Sequence, residues 1–185
     1  MPYLMDTGDR VDHLVNATIH LINTEGIESF TIRRLAAVAR LNPSTITSHL
    51  DNKWRMTDLF TKRVAERLHR AIGSNVRLAG VLAFVPDDEL LPLVRTWLAM
   101  CELARADDGH SSGVASKQRE FADLLHWACR FGPDDEIVLD AMHALVVGIW
   151  TARCARIEPM TSERATAVLR HACTGLGVTM APEVA

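Results

Sequence analysis

At 185 residues, with 48 % hydrophobic and 23 % charged side chains, the chain can bury a sizeable core and is too apolar for a disordered segment. The net charge of −3 speaks against a uniformly basic nucleic-acid-coating protein, and no apolar run approaches a membrane span. The opening residues MPYLMDTGDR lack a charged-then-apolar leader, and the four cysteines are widely spaced with no C-x-x-C. Buried reduced thiols and a cytoplasmic location are therefore expected.

Charge is unevenly spread. Residues 1–72 carry ten Lys/Arg against eight Asp/Glu, and the remainder ten against fifteen. The small basic excess coincides with the first recognisable motif. It predicts modest non-specific affinity for nucleic acid and a need for dimerisation to bind tightly.

In chain order, residues 11–25 place Val11, Leu14, Val15, Thr18, Ile19 and Ile22 on one helical face, and Gly26 fits a stop. His13 and His20 read as surface residues. Thr31 is a hydroxyl N-cap for a short helix through Leu35, Ala36 and Ala39, which breaks at Arg40, Leu41 and Asn42. Pro43 then sits at the first position of a second short helix, where its missing N–H costs nothing. That helix, about 43–50, is too short to stand alone and must be held by Leu41, Ile46 and Leu50. Ser44, Thr45, Thr47, Ser48 and His49 are left facing outward. A short polar-faced helix presented by a short apolar one is the layout of a helix-turn-helix, whose second helix enters the major groove.

Asn52 reads as the N-cap of a fourth helix opening with Lys53, Trp54 and Arg55 and continuing along Met56, Leu59, Phe60, Val64, Leu68 and Ile72. Cations in a first turn oppose the helix dipole. They are either solvated, or they join the helix N–H groups in holding a DNA phosphate. The preceding motif favours the second role for Lys53, and Thr31, Arg33 and Arg34 earn the same reading. Residues 73–86 look like a boundary with some helical content, punctuated by Gly80 and Pro86. Further helices are expected over about 87–106, with a weak spot at Pro92, over 114–131 after a loop at 107–113, over 134–157, and from 161 or 162 to about 175–177. No strand pattern appears. The expected fold is all-α: an N-terminal three-helix helix-turn-helix unit, residues 1–52, and a C-terminal helical bundle, residues 53–185, for ligand binding and dimerisation, with the helix from 53 as connector.

The last two helices carry stripes of small residues: Ala141, Ala144, Leu145, Gly148 and Ala152 on one, and Ala165, Val168, Leu169, Ala172 and Leu176 on the other. Such stripes either pack within the chain or let two helices from each of two copies form a four-helix bundle.

The run Thr31–Lys53 resembles the TetR family of bacterial transcriptional repressors. Gly26, Phe30, Thr31, Leu35, Ala36, Ala39, Leu41, Asn42, Thr45, Ile46, His49, Leu50 and Lys53 stand at that family's spacing, and the likeness extends over about residues 10–72. Three positions depart from the pattern. Arg40 replaces the turn glycine, Thr47 the phosphate-binding tyrosine, and Leu50 a phenylalanine. The resemblance implies a homodimer formed through the last two helices, reading double-stranded DNA. Helices beginning at Pro43 would lie in the major groove, with Ser44, Thr45, Thr47 and Ser48 reaching bases or nearby phosphates. Thr31, His49 and Lys53 would anchor the backbone. It also implies a small-molecule effector in the C-terminal helices. Trp97, Met100, Cys101, Phe121, Leu125, Trp127, Met142, His143 and Trp150 are candidates to line its site, each with ordinary core as the alternative. Few charges on those faces favour an apolar or neutral ligand.

Enzyme readings find little support. There is no Gly-rich phosphate loop, G-x-S-x-G or H-E-x-x-H. Asp123-x-x-His126 and Asp140-x-x-His143 approach the spacing of helical di-metal sites, with Glu102 and Glu120 as the nearest further carboxylates but without the expected pattern, and acid–histidine pairs on a solvated or pocket-rim helix face are the preferred reading. No cofactor is expected. A third reading keeps the fold without DNA binding, as an interaction module. It is motivated by Arg40, Thr47 and the low basic excess.

Overall fold

The computed structural model describes residues 7–50, 53–105, 111–129 and 136–178, excluding the side chains of residues 7, 48–50, 53–55 and 111–113. Eight α-helices follow one another among the described residues: α1 Thr7–Glu25, α2 Ile32–Ala39, α3 Pro43–Leu50, α4 Lys53–Ala79, α5 Leu91–Arg105, α6 Ser111–Cys129, α7 Glu136–Arg153 and α8 Ser162–Leu176. The all-α expectation holds. No helix among the described residues is long and apolar enough to cross a membrane.

The chain divides into two compact units. One takes in Met1–Ala65 with Thr96–Val114, the other Glu66–Arg95 with Ala115–Ala185. In the first, α1 buries Leu14, Val15, Leu21 and Ile22 against Leu35, Ala36 and Ala39 of α2. Ile46 of α3 and Met56, Phe60 and Val64 of α4 are buried in the same unit. Phe30 meets Phe60 edge-on at 6.3 Å between ring centroids, an arrangement the aromatic quadrupole favours. Gly26 ends α1 at φ 87°, ψ 169°, a conformation closed to side-chain-bearing residues.

The second unit buries Leu68, Ile72 and Val76 of α4, Phe121 and Leu125 of α6, Met142, Val146, Ile149 and Trp150 of α7, and Ala165, Leu169 and Cys173 of α8. Two polar anchors tie the segment after α4 onto α7. The Trp150 Nε1–H donates to the Phe84 carbonyl at 2.7 Å. The buried Arg153 guanidinium donates to the carbonyls of Pro86 (3.0 and 3.2 Å) and Met160 (2.8 Å) and to the Asp88 carboxylate (3.0 Å). A buried guanidinium is costly unless its donors are satisfied, and these acceptors do so.

Several expected boundaries are corrected. The helical content expected within the 73–86 boundary is there, but the helix from Lys53 runs unbroken through Gly73 to Ala79 and is followed by a short 3-10 turn, Gly80–Phe84. Burial of Ile72 and Val76 continues one apolar stripe past Gly73. That burial is worth about 1.5–3 kcal/mol per side chain, against about 1 kcal/mol for glycine in a helix. The break falls at Gly80, at φ 55°. Pro92 is no weak spot, because α5 starts at Leu91 and proline in a first turn gives up no helix hydrogen bond. The Asp87 carboxylate caps the preceding turn by accepting from the Leu90 N–H at 2.8 Å. Residues 111–113, expected as loop, are helical. The next helix stops at Arg153 rather than 157, where the chain folds back and the Met160 N–H reaches the Ala152 carbonyl at 3.0 Å. The expected loop at 107–110, the Asn52 cap and the acids Asp134 and Asp135 lie outside the described residues.

Candidate nucleic-acid interface

The helix pair is built as its sequence demands. Thr31, extended at φ −127°, ψ 152°, accepts the Arg34 N–H on its hydroxyl at 3.2 Å and so caps α2. Leu35, Ala36 and Ala39 turn inward, while Arg33 and Arg34 stay exposed. Arg34 forms a forked ion pair with Glu25, at the end of α1, through its Nε (2.7 Å) and Nη2. Hydrogen bonding to that guanidinium holds the Glu25 carboxyl below the usual carboxylate range.

The turn after α2 resolves the missing glycine. Arg40 itself takes the left-handed conformation, at φ 55°, ψ 41°. The Leu41 N–H closes on the Ala36 carbonyl (2.9 Å) and the Arg40 N–H on Ala37 (3.3 Å), the paired bonds of a Schellman motif. A non-glycine residue there costs about 1–2 kcal/mol. From α1, the His13 ring Nε2–H donates to the Ala39 carbonyl at 2.8 Å, across 26 residues of sequence. Nothing in the sequence periodicity signals that contact.

In α3 the Thr45 N–H closes on the Asn42 carbonyl at 2.9 Å, so Pro43 occupies the first turn. Ile46 is 1 % exposed, whereas Pro43, Ser44 and Thr47 face outward and Thr45 is half-buried. The Thr47 hydroxyl lies within reach of its own helix's carbonyls at Pro43 (3.3 Å) and Ser44 (3.2 Å), so part of its capacity is spent locally. Ser48, His49 and Lys53 belong to α3 and α4, but their side chains lie outside the described residues.

The candidate ligand residues fall into two groups. Trp97, Met100 and Cys101 are buried on the part of α5 that belongs to the first unit. Phe121, Leu125, Met142 and Trp150 are buried in the second, where Phe121 meets Trp150 edge-on at 5.8 Å and His69, absent from the sequence candidates, lies 5.8 Å from Phe121. His143 is half-buried and Trp127 is 54 % exposed. Burial pushes the Cys101 and Cys129 thiols up to about 12, so they serve as packing groups and not as nucleophiles. No group of three or more His, Cys, Asp or Glu suited to a metal ion occurs among the described residues. Glu102 and Glu120 are instead paired with Arg105 and Lys117.

Solved structures share this arrangement. A transcriptional regulator from Rhodococcus sp. Rha1 superposes with a TM-score of 0.80 at 14 % identity, covering 93 % of this chain and 99 % of its own. A candidate transcriptional regulator from Pseudomonas aeruginosa PAO1 gives 0.76 at 19 %, covering 94 % and 92 %. The multidrug binding protein EbrR, solved with ethidium, gives 0.62 at 18 %, covering 88 % and 98 %. Other matches are described as TetR or TetR-like regulators. The fold is that of the TetR-family regulators. At these identities the likeness is one of fold. No protein-family model matches the sequence, and no characterised protein matches it by sequence. Within this TetR-like fold, α2 and α3 form the helix-turn-helix layout, and α7 and α8 are the last two helices.

Proposed function

We propose that the protein is a ligand-responsive transcriptional repressor that binds a pseudo-palindromic DNA operator as a homodimer in the cytoplasm. The observation that carries this reading is α3: a helix of eight residues with Ile46 buried and Pro43, Ser44 and Thr47 outward, joined to α2 by a Schellman turn, in a TetR-like fold. Residues 1–52 act as the reading head, and residues 53–185 bind ligand and dimerise through α7 and α8. Two α3 helices enter major grooves about one helical turn, or a multiple of one, apart. Ser44, Thr45, Thr47 and Ser48 reach bases or adjacent phosphates, while Thr31, Arg33, Arg34, His49 and Lys53 hold the backbone. A neighbour in fold, the multidrug binding protein EbrR, was solved with ethidium, which supports a small-molecule effector. The few charges on the apolar faces of the C-terminal helices favour an apolar or neutral one there. Its binding shifts the helix from 53 and alters the spacing of the two reading helices.

The test is selection of bound sequences from a random double-stranded DNA pool at about physiological salt. An enriched pseudo-palindrome that is lost in a Thr45→Ala/His49→Ala variant is the expected outcome. Lys53→Ala should weaken all DNA sequences about equally and flatten the salt dependence. A second reading, an interaction module without specific DNA binding, draws on the inward use of the Thr47 hydroxyl and the Glu25 pairing of Arg34. Absence of enrichment from a folded dimer would favour it.

A further inference from the structure

We infer that His13 is a positioning residue that fixes the angle of α3, by locking the one strained peptide in the turn before it. The inference rests on the DNA-reading proposal. The last carbonyls of a helix have no partner inside it. At the end of α2, Ala36 and Ala37 are satisfied by the turn's own N–H groups, and the Ala39 carbonyl accepts from His13. That carbonyl belongs to the Ala39–Arg40 peptide plane, and the tilt of this plane sets φ at Arg40. Glycine would adopt the left-handed conformation without help, but arginine does not prefer it. A flip of the plane would relieve Arg40 and swing α3 on its connection to α2. The His13 donor opposes that flip. The other end of α2 is held by Arg34 on Glu25, so α1 grips α2 at both ends and carries the orientation of the reading helix.

Base readout depends on the angle of α3, whereas phosphate attraction tolerates small rotations. His13 is exposed, so its replacement leaves the core intact. The experiment compares the full-length protein with His13→Leu, which keeps bulk without a donor, and His13→Gln, which keeps an amide donor. Each is titrated against the selected operator and against a random duplex of equal length. His13→Leu should lose about tenfold or more in operator affinity, the scale of one hydrogen bond, with random-duplex affinity unchanged. His13→Gln should stay within about threefold of wild type. In an Arg40→Gly background the loss from His13→Leu should largely disappear, because glycine holds the turn unaided. An unchanged operator-to-random ratio in His13→Leu, or equal losses in the Leu and Gln variants, would overturn the inference. Hydrogen exchange at the Leu41 amide, which bonds to Ala36, separates this from failure of the DNA reading. If the wild-type protein prefers no sequence, the DNA reading falls. The lock is then judged by that amide alone, and a wild-type exchange rate in His13→Leu overturns it.

Discussion

Arg34 illustrates how one residue's neighbours decide its availability. Its position in the first turn of α2 suits a phosphate contact, yet its guanidinium is forked onto Glu25. A phosphate and the Glu25 carboxylate would compete for the same donors. Glu25→Gln removes the charge of the competitor while leaving a neutral acceptor. Affinity for a random duplex, which depends on phosphate attraction and not on the angle of α3, should rise about threefold near 0.1 M salt and less at higher salt, as screening removes the difference. Titration of a random duplex at two salt concentrations checks this, and unchanged affinity would mean that Arg34 does not reach phosphate. The pH dependence has the same origin. The folded-state value of Glu25 is lowered by its bond to Arg34, so the pairing contributes fully above the unfolded carboxylate value. It is lost as pH falls through the lowered folded value. Acid conditions therefore loosen the α1–α2 tie and release Arg34, and they do not strengthen it.

At the scale of elements, α3 depends on its neighbours. Eight residues are far fewer than an isolated helix needs in water, and α3 is held by packing, with Ile46 its fully buried side chain among those described. Ile46→Ala should cost about 2–4 kcal/mol and abolish operator binding before global unfolding. Urea denaturation with an unchanged slope and a lowered midpoint would report the loss. A midpoint within error of wild type would mean that α3 is held elsewhere. The elements were legible wherever period and cap coincide: Thr31 before α2, Pro43 in α3, Gly26 after α1 and Thr161 before α8. They were misread where a local breaker is outweighed by burial, as at Gly73, or falls harmlessly in a first turn, as at Pro92. The ties that orient the elements left no sequence signal. His13 to Ala39, Trp150 to Phe84 and Arg153 to Pro86 join residues 26, 66 and 67 apart, and no periodicity encodes such pairings.

For the whole molecule, the decisive question is what covers the outer face of α7 and α8. The small-residue stripe of α8 is split between two faces. Ala165 and Leu169 are buried within the second unit, while Arg164, Ala167, Val168, His171 and Ala172 line an open groove of about 350 Å³. The spacing of 164, 167, 168 and 171 is that of a hole that receives a knob from a facing helix. On α7, Ala141, Ala144, Val147 and Gly148 are exposed. A two-fold partner would meet the same patch with itself, so one substitution acts twice. A Cβ built on Gly148 meets no atom within 4 Å, so the isolated chain has room for a side chain there. Gly148→Arg should therefore keep its helical content and become monomeric, with two like charges brought together at an interface that cannot solvate them. Light scattering reads the mass, and circular dichroism the fold. Operator affinity should fall by about 10² or more because the two reading helices no longer bind as one ligand, while affinity for a single half-site stays near wild type. A Gly148→Arg protein that remains dimeric would place the subunit contact away from this face of α7. The two-site mechanism would then need a different geometry.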